Sequence, residues 1–120
     1  MIYLLVNAIV HTMDDSLPVS QALAVKDGRI VEIGGTDEIL WLREDDYELI
    51  DLEGQTVVPG TMDGDQAYTI RGTLAPGRPA EFLVLSADPL AEPPVNFSAV
   101  RVREAWADGS RVRVREAASG

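Results

Sequence analysis

Two Asp-Gly pairs, each set between runs of alternating apolar and polar residues, constrain this chain most. One lies within "ALAVKDGRIVEIG" and the other within "VREAWADGSRVRVRE". Asp and Gly suit the positive backbone angles of a two-residue hairpin turn, and period-two alternation is typical of strands with one buried face. The predicted antiparallel hairpins pair residues 22–25 with 29–33, and residues 102–107 with 111–115.

The second hairpin carries a row of arginines whose position follows from the same alternation. Val112 and Val114 are predicted to face the core, which leaves Arg111, Arg113 and Arg115 on the solvent side. Such a row could also bind nucleic acid. However, no aromatic residue is interleaved for base stacking, and the acidic first half of the chain offers carboxylates nearby. We interpret the row as a solvated sheet face.

The remaining patterns indicate further strands and one short helix. Thr36 is a predicted N-cap for "DEILWLRE", which has an apolar face for about two turns. The other predicted strands are residues 2–10, 49–52 and 56–58. Four bulky aromatic residues are assigned to the core, namely Trp41, Phe82, Phe97 and Trp106. The prediction is an all-β sandwich of two short sheets with one small helix.

The composition is that of one ordinary globular domain. The chain has 120 residues, of which 46% are hydrophobic and 25% charged. No apolar run approaches the roughly 20 residues that span a bilayer, and the start lacks the features of a signal peptide. There is no cysteine, which excludes disulfides and thiolate metal sites. We expect no membrane partner and a cytoplasmic location.

The charge is strongly acidic and unevenly distributed. The formal net charge is -10, which argues against nucleic acid as a partner because phosphate binding needs a basic surface. Residues 1–60 carry twelve acidic and three basic side chains, whereas residues 61–120 carry eight and seven. The two halves are therefore expected to attract each other.

Few side chains are candidates for a metal site. His11 is the only histidine and is interpreted as structural, because it cannot build a histidine-rich site alone. Asp63 and Asp65 resemble the start of a calcium loop, but Tyr68 and Leu74 occupy positions where that loop needs glycine and glutamate. The acidic cluster at residues 44–46 is interpreted as a solvated helix end. We predict no metal, catalytic or cofactor-binding residues.

Nucleophilic catalysis also lacks a motif. No serine stands in a nucleophile-elbow pattern, and His11 would be the only available base; the serines considered are Ser16, Ser20, Ser86, Ser98 and Ser110. The glycines follow turn chemistry and form no phosphate-binding loop. Asp88, in "SADPL", is predicted to cap a turn at Pro89.

Four segments together resemble a known family. In order they are "LLVNAIVHT", "ALAVKDGRIVEIGG", "IDLEGQTVVPG" and "GTLAPGRPAEFLVLSADPL", followed by the hairpin around "ADGSRV". They resemble the amidohydrolase superfamily, especially its branch similar to long-chain N-substituted formamide deformylases, over nearly the whole chain. In that family the corresponding segments flank a metal-dependent (β/α)8 barrel and form a small composite β-sandwich beside it.

The barrel itself has no counterpart in this sequence. In the family, "VVPG" leads into a strand with two histidine metal ligands, whereas here Asp65 and Ala67 stand at those positions. Such a barrel takes about 250 residues, but only residues 61–70 lie between the flanking segments. The resemblance therefore implies one composite domain in which residues 1–60 and 71–120 are joined by a short linker, with "AYT" as a remnant of the last barrel helix.

The resemblance also implies what the chain does. The parent protein would be a divalent-metal hydrolase, with zinc the expected metal, acting on carbon-nitrogen bonds other than peptide bonds. This chain, without barrel or ligands, would be a non-catalytic domain, whether shortened deliberately or naturally. The alternative is a protein-binding or self-associating module that uses the former barrel-facing surface. A third hypothesis is a small cation-dependent enzyme built on Asp63 and Asp65.

Overall fold

The computed structural model describes residues 1–64, 66–90, 100–107 and 110–113. One helix occurs in these ranges, α1 (Thr36–Leu40). The strands, in chain order, are β1 (Ile2–Val6), β2 (Ile9–His11), β3 (Val19–Ser20), β4 (Ala22–Lys26), β5 (Arg29–Gly34), β6 (Tyr47–Asp51), β7 (Thr56–Gly64), β8 (Ala67–Ile70), β9 (Phe82–Leu85), β10 (Val102–Ala107) and β11 (Ser110–Arg113). The all-β fold class with one short helix is confirmed.

The strands form two sheets. The smaller sheet has the order β5-β4-β1-β6, and the larger has the order β11-β10-β9-β7-β2-β3, with β8 paired to the far end of β7. Most neighbours are antiparallel, but β1 runs parallel to β6 and β2 parallel to β7. The larger sheet joins distant parts of the chain, because β7 pairs with β9 from Thr56↔Leu85 to Pro59↔Phe82.

Three apolar clusters show how the layers pack. The largest lies between the two sheets and includes Leu5, Val25, Phe82 and Trp106. A second covers the other side of the small sheet, where Ile39 of α1 is fully buried. The third lies on the opposite side of the large sheet and is called the outer face here; it consists of Val58, Leu83, Leu85, Val100 and Val102. Both sides of the large sheet are therefore apolar, which explains why all four residues of β9 are buried.

The first predicted hairpin is confirmed. Strands β4 and β5 pair antiparallel up to Lys26↔Arg29, and the turn between them is Asp27-Gly28. Both turn residues have positive φ, 53° and 76°. These angles match a type I′ turn, whose twist agrees with that of the flanking strands.

The first predicted strand is in fact two strands in different sheets. Residues 2–10 divide at Asn7, which has a φ of 56°. The chain thereby leaves the small sheet after β1 and enters the large sheet as β2. Asparagine tolerates this left-handed conformation better than most residues. The apolar run thus supplies one strand to each layer.

The helix differs from the prediction in its cap and its length. Gly35, not Thr36, is the N-cap, and its N–H donates to Glu38 Oε1 at 3.0 Å. The hydroxyl of Thr36 instead accepts a bond from the Asn7 N–H at 3.0 Å. Trp41 is the C-cap that follows the helix. Trp41 is 86% exposed, so its assignment to the core was wrong.

The segment predicted to be a short linker has regular structure. Residues 61–64 extend β7, and β8 pairs back onto them from Gly60↔Ile70 to Gly64↔Ala67. The "AYT" stretch therefore lies in a strand and not in a helical remnant. We call residues 61–64 and 66–70 the cap hairpin.

The second predicted hairpin forms, but its faces differ from the prediction. Strands β10 and β11 pair from Glu104↔Arg113 to Ala107↔Ser110, and the register of β10 against β9 shifts between Val102 and Glu104. Val112 is 57% exposed, so its assignment to the core was wrong. The 108–109 turn, Val114, Arg115, Phe97, Ser98 and Asp65 lie outside the described residues.

Candidate functional site

The base of the cap hairpin is where the two halves of the chain meet. The Arg71 N–H donates to the Pro59 carbonyl at 3.1 Å, directly beside the Gly60↔Ile70 pair. The two backbones approach so closely that a Cβ added to Gly60 would lie 2.2 Å from the Thr69 carbonyl oxygen. The chain therefore enters and leaves this hairpin at one point on the sandwich.

The cap hairpin covers part of the outer face. Three of its side chains, Met62, Tyr68 and Ile70, are partly buried and pack against the apolar cluster there. Burial raises the pKa of the Tyr68 phenol. On the opposite side of the hairpin, Asp63 accepts a hydrogen bond from the Thr69 hydroxyl. The hairpin is thus amphipathic, with its apolar side toward the sheet.

Gln66 fastens the tip of the hairpin to β10. Its amide nitrogen donates to the Val102 carbonyl at 3.2 Å, and its amide oxygen accepts from the Val102 N–H at 2.8 Å. Val102 lies at the register shift of β10. A side-chain amide has one donor group and one acceptor, as a backbone peptide does, so Gln66 completes the hydrogen bonds of Val102 as a neighbouring strand would.

An open groove continues from the hairpin along the same side of the sheet. Its volume is about 300 Å³, and its apolar walls come from Met62, Leu83, Ala105 and Val112. Val112 lies on the same side of the large sheet as Val102, but the cap hairpin does not cover it. It is therefore exposed at this groove. Exposed apolar surfaces such as this groove are typical of sites that bind another protein or an apolar ligand.

Arg111 lies on the inner side of the large sheet, whereas the sequence analysis predicts it on the solvent side. Its guanidinium donates to both oxygens of Glu104, at 2.9 and 2.8 Å, and to Glu48 of the small sheet at 3.1 Å. These hydrogen bonds to the Glu104 carboxylate raise the pKa of Arg111 further. The Trp106 indole N–H also donates to Glu104, at 3.1 Å, and the guanidinium lies over the indole ring. The group links the two sheets at one edge of the sandwich.

His11 forms a second link, with Asp88. Its Nε2 lies 2.9 Å from Asp88 Oδ1, and both side chains are mostly buried. The same oxygen accepts the Leu90 N–H at 2.8 Å, as predicted for a turn-capping aspartate. His11 therefore joins β2 to the turn after β9. A structural histidine would make a contact of this kind, and the structural interpretation of His11 stays a prediction.

The other candidate residues are separate from one another. Glu44 pairs with Lys26, and Asp63 bonds to Thr69 within the cap hairpin. Three of the serines bond to local partners: Ser16 to Asp14, Ser20 to the Gly34 carbonyl, and Ser86 to the Arg101 N–H. No hydrogen bond between a serine and His11 occurs within the part of the chain that the structure describes.

The described residues form no metal site of the kind that the parent protein is expected to have. Across residues 1–64, 66–90, 100–107 and 110–113, no three histidine, aspartate or glutamate side chains converge in a way that could hold a metal ion. Among these residues, His11 and Asp88 make a pair without a third ligand. Nor does any helix in these ranges have the length and apolar character to cross a bilayer.

The sequence is similar to short parts of longer proteins. No protein-family model matches the chain. The exoenzymes regulatory protein AepA of Pectobacterium carotovorum is 40% identical over 57 residues, 48% of this chain. The N-substituted formamide deformylase of Arthrobacter pascens is 38% identical over 67 residues, 56% of this chain. The chain spans 12% of the length of each of these curated relatives.

Two solved structures each align with about half of this chain. An uncharacterized metal-dependent hydrolase from Pyrococcus furiosus aligns with 53% of this chain and 14% of its own, at 25% identity and a TM-score of 0.47. An enamidase described as a member of the amidohydrolase superfamily aligns with 52% of this chain and 17% of its own, at 33% identity and a TM-score of 0.43. Each alignment covers only a small part of the solved structure.

Sequence reasoning missed two features of this site. Gln66 has no motif around it, because its partner is a backbone group 36 positions away. The inward position of Arg111 follows from its pairing with Trp106. A sequence signal for it existed, since Trp106 was assigned to the core and a residue paired directly opposite shares its side of the sheet.

Proposed function

We propose that this chain is the non-catalytic β-sandwich portion of an amidohydrolase from which the (β/α)8 barrel is absent. The observation that carries the proposal is the junction at Pro59 and Arg71, whose backbones are hydrogen-bonded to each other at 3.1 Å. Ends this close can accept or lose a large domain without displacing the sheet. The cap hairpin stands where the barrel of about 250 residues would begin and end.

The relatives support the same proposal. The deformylase of Arthrobacter pascens matches this chain over only 12% of its own length, as expected if most of the enzyme has no counterpart here. We infer that the parent protein used a divalent metal, with zinc the expected ion, to hydrolyse carbon-nitrogen bonds other than peptide bonds. The sandwich itself takes no metal in this proposal, and we expect it to act in the cytoplasm without nucleic-acid or membrane partners.

Purified protein is therefore expected to show no turnover of N-formyl or N-acyl substrates in the presence of zinc. The physical reason is that the residues which the structure describes bring together no three side chains that could hold a metal ion to activate water. The Arthrobacter deformylase serves as the positive control, and the metal-free protein as the blank. Zinc-dependent turnover above that blank would contradict the proposal.

A chimera gives the positive test. Residues 1–60 and 71–120 would replace the corresponding flanking segments of the Arthrobacter deformylase, so that its barrel runs from Gly60 to Arg71. We expect this chimera to remain soluble and to retain metal-dependent deformylase activity, because the two joining points are adjacent in this fold. The matched control is the same barrel without any flanking segments. A chimera no more soluble or active than that control would overturn the proposal.

The apolar groove supports a second candidate function, a protein-binding or self-associating module. Its walls include Val112, which is 57% exposed, and Leu83 of β9, which is fully buried. Homo-oligomers commonly form through apolar surfaces of this kind. Light scattering separates the two candidates, because a module of this second type gives a discrete dimer or a bound partner, and a clean monomer counts against it.

A further inference from the structure

Strand β6 forms one edge of the small sheet. It lies at the end of the order β5-β4-β1-β6 and pairs with β1 on one side. The Asp46 carbonyl and the Leu52 N–H both bond to β1, at 3.2 and 2.9 Å. The N–H and carbonyl of one residue point to the same side of a strand, and successive residues alternate. The backbone groups of Tyr47, Leu49 and Asp51 therefore point away from β1.

These outward backbone groups have no partner in the part of the chain that the structure describes. Within that part, no second strand pairs with β6, and no loop or side chain bonds to these groups. The opposite edge of the same sheet differs, since Arg29 of β5 is bridged to Pro79. Prolines and bulges commonly stop a further strand from pairing. Strand β6 contains no proline, and its register with β1 does not shift, so this edge can accept a strand.

Two apolar side chains of this edge are exposed. Tyr47 is 40% exposed and Leu49 is 50% exposed. They pair directly opposite Ile2 and Leu4 of β1, which are buried in the cluster that includes α1. Residues paired in this way share one side of the sheet, so the helix covers the side chains of β1 but leaves those of β6 partly open. A strand added beside β6 would extend this cluster over Tyr47 and Leu49.

The charge around β6 restricts which strand can be added. Residues 44–53 contain six acidic side chains and no basic one. Two of the six are paired, Glu44 with Lys26 and Glu48 with Arg111. The other four are exposed and have no ion pair within the described residues: Asp45, Asp46, Asp51 and Glu53. Such charges repel another acidic strand, including β6 of a second copy, and attract a basic one.

We propose that the edge formed by β6 binds an extended segment of another protein in which lysine or arginine alternates with apolar residues. The segment adds one strand to the small sheet by pairing with the outward backbone groups of Tyr47, Leu49 and Asp51. Its apolar side chains lie beside Tyr47 and Leu49, and its basic side chains lie among the unpaired carboxylates. Because β6 belongs to the small sheet, this site is separate from the apolar groove of the large sheet, and failure of the binding test would leave the proposed function untouched.

The peptide acetyl-Lys-Val-Lys-Val-Lys-Val-Lys-amide is the probe. We expect calorimetry to show saturable binding with a Kd of about 10–100 µM at about 0.05 M salt. A matched peptide with glutamate in place of every lysine should not bind. A third peptide with proline in place of the central valine keeps the charge but lacks a backbone donor, so it should bind at least about tenfold more weakly. Absence of binding by the first peptide, or equal binding by the proline peptide, would overturn the proposal.

Amide exchange locates the bound strand on the unsubstituted chain. The N–H groups of Tyr47, Leu49 and Asp51 should exchange more slowly when the peptide is present. Those of Glu48 and Ile50 face β1 and should change little. No slowing at the three outward groups contradicts the proposal. Slow exchange there without peptide, growing with protein concentration, would place a second copy on this edge and contradict it equally.

Leu49→Pro tests the same contact from the side of the protein. The N–H that it removes faces away from β1, so the pairing with β1 can remain, as it does for prolines on edge strands. We expect peptide binding at least about tenfold weaker, whereas Leu49→Ala, which keeps the N–H, should lose less than about threefold. Circular dichroism checks that both variants fold, and the peptide comparison and amide exchange still decide if Leu49→Pro does not. Equal binding by the two folded variants would show that the edge is not the site.

Discussion

Replacing Trp106 with alanine is expected to lower the free energy of unfolding by about 3–5 kcal/mol. Trp106 is 1% exposed and lies in the cluster between the two sheets. Its indole stacks on Phe82 at 5.3 Å and meets Tyr3 edge-on at 5.4 Å. Its N–H also donates to Glu104, so the substitution removes a hydrogen bond as well as filled volume. The loss is a large part of the total free energy of unfolding, which is about 5–15 kcal/mol for such domains.

Urea titration followed by circular dichroism measures the effect, with Trp41→Ala as the matched control. Trp41 is the other tryptophan of the chain and is 86% exposed. Its removal should change the free energy of unfolding by less than about 0.5 kcal/mol. Equal effects for the two substitutions would show that Trp106 does not hold the sheets together. The control variant also isolates the fluorescence of Trp106, which should shift to longer wavelength as the core opens.

Local signals in the sequence are enough to predict the sandwich and its first hairpin. The turn at Asp27-Gly28 predicts the pairing of β4 and β5, because the turn residues and the alternation of the flanking strands specify the same geometry. Residues 82–85 are all apolar, which is the pattern of a strand buried on both faces, as β9 is. The sequence predicts the helix, but with a start one residue too late. Either Gly35 or Thr36 can be the N-cap, and the hydroxyl of Thr36 is engaged by the distant Asn7 N–H.

Features that depend on distant partners could not be predicted in the same way. The cap hairpin is stabilised by the outer face and by Val102, which are far away in sequence, so residues 61–70 alone indicate only a polar connection. The exposure of Val112 has a similar origin. Alternation places it on one side of the sheet but says nothing about which part of that side is covered. Trp41 shows that a bulky apolar residue is not buried by its type alone.

Gly60→Ala is expected to open the base of the cap hairpin and to cost about 3 kcal/mol of unfolding free energy, the upper end for overpacking. The added Cβ would lie 2.2 Å from the Thr69 carbonyl oxygen and 3.2 Å from the Ile70 Cα, which are backbone atoms that no rotamer change can move. The Gly60↔Ile70 pair must therefore separate, and the contacts of the hairpin with the outer face weaken with it.

Gly64→Ala is the matched control, because Gly64 lies on the same strand and the nearest atom to its added Cβ is the Ala67 Cβ at 3.9 Å. This variant should be as stable as the unsubstituted chain, or more stable by less than about 1 kcal/mol, because alanine restricts the conformations of the unfolded chain. Urea titration compares the two variants, and amide exchange should quicken in residues 61–70 of Gly60→Ala only. Equal stability and equal exchange would mean that the hairpin can shift away from Gly60 at no cost. The junction between the two halves of the sandwich would then be looser than the 2.2 Å separation between an added Cβ and the Thr69 carbonyl oxygen implies.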